Sequence, residues 1–275
     1  MQKVVFFDID GTLVTANNHL PQSTKQALNE LKANGHLPII ATGRPPKMFE
    51  TIAKELEIES YISLNGQYIV LNGKPIFVNT IPTDALEELI AATYDINQRA
   101  FLLTEDDVIG NTFMREMISD SDFLTLVYTH LNDLPNDVSI ELFQRMTEKP
   151  LKRTSFEHEE ILSAFIHTEE KRDAFYQERF PELHFTRATP HLSEVLMKGA
   201  HKGTGMERVV SELGLTMADT VAFGDSLNDI EMIQSAGMGV AMGNGRQELK
   251  DVADFVTTHV EDDGIYNGLK KLKLI

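Results

Sequence analysis

Two carboxylates one residue apart, Asp8 and Asp10, directly follow the apolar run Val4-Val5-Phe6-Phe7 and precede Gly11-Thr12. The run is short, β-branched and aromatic, and a glycine closes it, so it reads as a buried strand. Both acids then sit at the carboxyl end of a strand, where open α/β sheets bind ligands. Like charges held this close need a cation or a shared proton to relieve them. The chemistry this suggests is a Mg²⁺ site with one carboxylate left to act as a nucleophile. The plainer reading of Asp, Gly and Thr after a strand is an ordinary turn.

Three further segments carry groups of the same kind. Leu37 to Ala41 is a second short apolar run, ending in Thr42-Gly43-Arg44. Lys202-Gly203 stands where a late helix begins, and the run Thr220 to Phe223 ends in Gly224-Asp225-Ser226-Leu227-Asn228-Asp229. If these elements are neighbours, Asp8, Asp10, Asp225 and Asp229 converge on an oxygen-rich metal site of the kind Mg²⁺ takes. Asp8 is placed to attack phosphorus and form an aspartyl phosphate. Mg²⁺ and Lys202 would offset the charge that builds up during transfer. The Thr42 hydroxyl and the Gly43 amide can donate to phosphate oxygens at a helix start. Asp10 can protonate the leaving oxygen and then take a proton from water. Singly, each group has a simpler account: a turn at Thr42-Gly43, a solvated Lys202, an N-cap at Asp225, a first-turn acid at Asp229. The case for a site rests on their recurrence at successive strand ends.

The elements needed to position them alternate at both ends of the chain. After the first strand, Pro21 to Asn34 carries Ala27, Leu28 and Leu31 at helical spacing and stops at Gly35. A helix follows over Lys47 to Leu56, then a strand at Tyr61 to Leu64, then a hairpin over Val70 to Val78 turning at Asn72-Gly73. Late in the chain come a helix from Gly203 to Leu213, the Thr220 strand, a helix from Asn228 to Ser235, and strands at Gly239 to Met242 and Asp254 to Thr257. Repeated strand–helix order implies a parallel sheet with right-handed crossovers. The middle keeps no such beat: a helix over Thr83 to Asn97, strands over Arg99 to Thr104 and Glu160 to His167, and a helix over Glu169 to Phe180. The expected fold class is α/β, a parallel Rossmann-like sheet core with helices on both faces and an inserted α+β cap domain. The expected division is a discontinuous core over 1–82 and 188–275 and a cap over 83–187, with Pro82 and Pro190 near the hinges.

Taken in order, Asp8-Ile9-Asp10-Gly11-Thr12, Ala41-Thr42-Gly43-Arg44, Lys202-Gly203 and Gly224-Asp225-Ser226-Leu227-Asn228-Asp229 resemble the haloacid dehalogenase superfamily, specifically its Cof-type phosphatases. Asn65-Gly66 and Gly239-Val240-Ala241-Met242-Gly243-Asn244 look like the same branch. The resemblance implies a Mg²⁺-dependent phosphatase with Asp8 as nucleophile and Asp10 as acid/base. It implies a metal held by Asp8, the Asp10 main-chain carbonyl and Asp225, with Asp229 nearby. It implies phosphate contacts from Thr42, Gly43, Lys202 and Asn228; Ile9 and Arg44 join the candidate contact set. One departure is the segment before the lysine, Val195 to His201, which leaves Lys198 as a competitor for the cationic role of Lys202. A second acid at Asp10 suits an oxygen leaving group, whereas a halide needs no proton.

The remaining composition narrows the partners. A net charge of -17 over 275 residues repels nucleic acid and anionic lipid, so any phosphate ligand needs a local cationic site. Cysteine is absent, which removes disulfides and thiol catalysis and fits a reducing cytoplasm. The start runs straight into a strand, so no export signal is expected. The expected partner is a small phosphorylated metabolite, a sugar phosphate or a relative. A phosphomutase or other phosphotransferase, and a non-catalytic phosphometabolite-binding protein, are the alternatives. The Gly237 to Gly243 run has the wrong spacing for a dinucleotide loop. Glu105-Asp106-Asp107 and Glu157 to Glu160 read as solvated loops. Met114, Met117 and Met146 read either as gap-filling core or as a pocket lining.

Overall fold

A computed structural model describes residues 2–95, 98–110, 151–189 and 192–275. The expectations for Met114, Met117, Met146, Pro190 and the last two residues of the Thr83–Asn97 helix lie outside the described residues. Two compact units divide the chain: Met1–Arg44, Phe49–Phe77 and His201–Ile275 in one, Pro45–Met48 and Val78–Ala200 in the other.

The first unit is built on a mixed, mostly parallel sheet. Its strands are β1 (Val4–Phe7), β2 (Leu37–Ala41), β3 (Tyr61–Ser63), β4 (Tyr68–Leu71), β5 (Lys74–Val78), β11 (Thr220–Gly224), β12 (Gly239–Ala241) and β13 (Phe255–Val256). They lie in the order β13-β12-β11-β1-β2-β3-β4-β5. Pairing is parallel from β13 to β3 and turns antiparallel at β4. The reversal follows from a short connection, because a parallel return needs a crossover of a dozen or more residues.

Every residue of β1 is buried, which explains its unbroken apolar sequence. Val5 and Phe7 face one apolar layer with Ala27, Leu28 and Leu31 of α1 (Gln22–Ala33) and Phe49 and Ile52 of α2 (Pro46–Glu55). Val4 and Phe6 face the opposite layer with Met206 and Val209 of α5 (Lys202–Glu212) and Met232 of α6 (Ile230–Ser235). A sheet covered by helices on both sides must be apolar on both sides. Polar groups are therefore driven to the strand ends.

The second unit holds an antiparallel sheet, ordered β7-β6-β8-β10-β9. Its strands are β6 (Arg99–Leu103), β7 (Val108–Ile109), β8 (Ser163–His167), β9 (Leu183–Thr189) and β10 (Leu192–Met197). One face packs on Leu86, Leu89 and Ile90 of α3 (Thr83–Asp95) and Tyr176 of α4 (Asp173–Arg179). The β9 and β10 strands were not expected, although Leu183 and Phe185 alternate as a half-buried strand should. Because β10 pairs with β8 and β9, a division at 187/188 would part it from its own sheet. The compact units divide at 77/78 and 200/201, with Pro45–Met48 also falling in the second.

Phe223 of β11 is fully buried and stacks on Phe7, with ring centroids 5.2 Å apart. Phe223→Ala is expected to lower unfolding free energy by about 3–5 kcal/mol through lost burial and a residual cavity. Urea denaturation checks this as a lower midpoint at unchanged m-value.

Candidate active site

Strand order decides what meets Asp8. β1 lies between β11 and β2, so the residues following these three strands emerge side by side. The Asp8 main-chain N–H continues the ladder to Phe223 O at 3.0 Å, and its side chain is 7% exposed. Lys202, the first residue of α5, is wholly buried. Its Nζ donates to Asp8 Oδ1 at 2.6 Å and to Asp229 Oδ1 at 2.7 Å. The helix start that presents it is capped by His201, whose Nδ1 accepts from the Thr204 N–H at 3.2 Å. Lys198, the sequence's other candidate, is exposed in the turn after β10.

Asp229 has zero exposure, and both its oxygens accept hydrogen bonds. Besides Lys202, it takes the main-chain N–H groups of Asp225 at 2.9 Å and Ser226 at 3.0 Å on Oδ2. It therefore holds the lysine and the Asp225 loop together. Among the described residues, Asp8, Asp225 and Asp229 form a group able to hold one metal ion, with carboxylate oxygens within 4.8 Å of one another.

The electrostatics of this cluster are unbalanced. Burial raises the Asp8 carboxyl to about 7, with Lys202 pulling it back and Asp229 and Asp10 pushing it up. Burial also raises Asp225 to about 9, with Asp8 and Asp229 adding to the rise. Burial pulls Lys202 down, but Asp229 and Asp8 outweigh it and raise its pKa, so it stays charged. One ammonium faces three carboxyls, and full ionisation needs a further cation. Three carboxylate donors in a buried cluster short of positive charge fit a hard divalent ion.

The turn after β1 brings Asp225 close. Gly11 has φ of +73°, and a Cβ there would fall 2.4 Å from Asp225 Oδ2. Glycine alone meets both demands. Asn244 Nδ2 donates to Gly11 O at 2.7 Å while Asn244 Oδ1 accepts from Val260 N–H at 2.9 Å, tying this turn to the segment after β13. Thr12 Oγ1 lies 3.5 Å from Asp225 Oδ1. The Ile9 side chain is fully buried in the core, so only its backbone could reach a ligand.

Asp10 points elsewhere than the three clustered acids. Its side chain is 40% exposed and forms a two-point pair with the buried Arg44, Nε to Oδ2 at 2.9 Å and an Nη to Oδ1 at 2.5 Å. The same Nη lies 3.3 Å from Asn18 Oδ1. Thr42 is buried, and its hydroxyl accepts from the Arg44 N–H at 3.1 Å, shaping the Thr42–Gly43–Arg44 turn. Asn228 is exposed, and its Nδ2 donates to Asn65 Oδ1 at 3.3 Å. Asn18, Asn65 and Asn244 were given no role from sequence. For Asn65 and Asn244 the adjoining glycines were the available signal; Asn18 carried none.

Removing Lys202 would leave buried carboxylates uncompensated, so Lys202→Met is expected to cost about 3–5 kcal/mol of stability. Chemical denaturation measures it. The raised carboxyls also set a pH dependence. Asp8 and Asp225 bind protons more tightly folded than unfolded, so cation-free protein loses stability as pH rises from 3.8 through about 7 towards about 9. A divalent cation needs the deprotonated ligands, so it should raise the melting temperature more at about pH 8 than at about pH 5. Thermal unfolding with and without added cation checks the difference.

Residues 5–269 match the family model for haloacid dehalogenase-like hydrolases. A Bacillus subtilis protein named "Putative phosphatase YkrA" is 34% identical, over 99% of this chain and 98% of its own. A solved structure from Geobacillus kaustophilus superposes with a TM-score of 0.82 at 34% identity, covering all of both chains. The sugar phosphatase BT4131, of haloacid dehalogenase subclass IIB, superposes at 0.76 and 26% identity, over 99% of this chain and all of its own. Among the described residues no helix is long and apolar enough to cross a membrane. With strand-end acids, a buried lysine and matches of this extent, the chain belongs to the haloacid dehalogenase-like hydrolases, among their phosphatases.

Proposed function

We propose that this protein is a Mg²⁺-dependent phosphatase that hydrolyses small phosphate monoesters through an aspartyl-phosphate intermediate on Asp8. The observation that carries the reading is the buried Lys202 ammonium, bonded at once to Asp8 and Asp229. A protein gains little stability from such a buried ion pair over apolar packing, so a functional reason for it is favoured.

Asp8 and Asp225 would hold the ion, with the Asp10 main-chain carbonyl as a further donor and Asp229 bracing the cluster. When bound, Mg²⁺ supplies charge neutralisation that lets an anionic phosphate approach anionic Asp8. The steps themselves fall to the protein's own groups. An Asp8 oxygen attacks phosphorus as the bond to the leaving oxygen breaks. Lys202, the Thr42 hydroxyl and the Gly43 N–H offset charge on the phosphoryl oxygens. Asp10 passes a proton to the leaving oxygen, then takes one from the water that frees phosphate from Asp8. Both Asp10 oxygens accept bonds from Arg44, so carrying a proton requires giving one of these up. Arg44 thereby controls where Asp10 points, a role distinct from the direct phosphate contact expected of it. The overall reaction takes one water and yields an alcohol and inorganic phosphate.

Sugar phosphates are the proposed substrate class, on the likeness to the sugar phosphatase BT4131. The strongly acidic chain argues against nucleic-acid or membrane partners. Phosphate release from p-nitrophenyl phosphate and a panel of sugar phosphates, with Mg²⁺ and with chelator, tests the reading. Release that needs Mg²⁺ and is abolished by Asp8→Asn is expected. That variant keeps the shape of the side chain, so its melting curve should still show a folded protein. Full turnover in Asp8→Asn would rule out the nucleophile assignment. Transfer to an added sugar in place of water would mark a phosphotransferase.

A further inference from the structure

The turn after β3 holds a conformation that its residue types do not favour. Leu64 and Asn65 have φ values of 49° and 51°, and Gly66 follows at 98°. Two successive non-glycine residues in the left-handed region persist only where the surroundings over-determine them. Leu64 is fully buried and Asn65 is 6% exposed. Such strain at a ligand-binding strand end invites a functional explanation.

The strained turn places Asn65 among three site segments. The Asn65 N–H donates to Thr42 O at 3.1 Å. Its Oδ1 accepts from Asn228 Nδ2 at 3.3 Å. Its Nδ2 lies 3.2 Å from where a Cβ on Gly43 would sit, so the carboxamide packs directly on the Gly43 backbone. On either side, Ser63 Oγ donates to Arg44 O at 2.7 Å, and a Cβ on Gly66 would lie 2.8 Å from His201 O. His201 is the cap that presents Lys202. A glycine at position 65 would form this turn without strain, so the turn alone does not call for a carboxamide.

We infer that Asn65 is a positioning residue for the phosphate site: it holds the Asn228 carboxamide and the Gly43 backbone in register to receive phosphoryl oxygens. The assignment rests on the proposed phosphatase reading. Asn228 Nδ2 carries two N–H groups, so a bond to Asn65 orients it without exhausting it.

The test uses the full chain with Mg²⁺ and the variants Asn65→Gly, Asn65→Asp, Asn228→Ala and the Asn65→Gly/Asn228→Ala double. Kinetics with p-nitrophenyl phosphate give kcat and KM; calorimetry with inorganic phosphate gives affinity without turnover. Asn65→Gly should keep the turn and melt near the wild type, while phosphate affinity falls about tenfold, as loss of a bond to a charged ligand would give. KM should rise more than kcat falls. The double variant should lose less than the sum of the two singles, because part of what Asn65 does is done through Asn228. Asn65→Asp, nearly isosteric, sets a negative charge beside Gly43 and should bind phosphate more weakly still. A folded Asn65→Gly or Asn65→Asp that binds phosphate as the wild type does would overturn the assignment, as would fully additive losses in the double variant. Wild-type protein that neither turns over the ester nor binds phosphate would overturn the phosphatase reading as well.

Discussion

The contact on which the site depends is the Lys202 ammonium between Asp8 and Asp229, in a place water does not reach. Three segments far apart in sequence meet at this point: the end of β1, the start of α5 and the loop after β11. Burying a charge is costly unless it is paired and hydrogen-bonded, and here each partner also anchors something else. Asp229 fixes the Asp225 loop through two backbone N–H groups. Asp8 continues the β1–β11 ladder through its own N–H. One cation among three carboxyls leaves a deficit of positive charge, which a divalent cation held by those carboxylates would offset.

The sheet makes the arrangement possible. Because β1 is covered on both faces, it has no room for polar side chains along its length, and its first acid comes where the strand ends. The close approach of Asp225 to Gly11 then requires a residue without a Cβ. Amides brace the loops beside this centre: Asn228 bonds Asn65, and Asn244 ties the Gly11 turn to Val260. Being uncharged, they do so without adding to the negative charge of the centre.

Much of this is legible in the sequence, for definite reasons. A short apolar run ended by Asp-x-Asp-Gly announces both a strand and its functional end, and the same holds for the run ending in Gly224-Asp225. Lys202 is favoured over Lys198 in the sequence because it directly precedes Gly203 and the helix; of the two, Lys202 is buried and bonded to Asp8 and Asp229, while Lys198 is exposed. The Arg44–Asp10 pair joins residues 34 apart and depends on β1 and β2 being neighbours, which periodicity does not encode. The left-handed Leu64 carries no signature, because leucine is a poor residue for that conformation. The β9–β10 pair escaped because the alternation of Leu183 and Phe185 breaks at Arg187, leaving too few positions to carry the period.

The central claim is that Asp8 carries the phosphoryl group during turnover. Borohydride reduces an acyl phosphate but not a free carboxylate, so it can trap the intermediate on the protein. Enzyme turning over an ester with Mg²⁺ should, after borohydride treatment, contain homoserine in place of Asp8, as read by mass spectrometry of the peptide spanning β1. Turnover under the same conditions with Asp8 unmodified, or with reduction at another aspartate, would contradict the account.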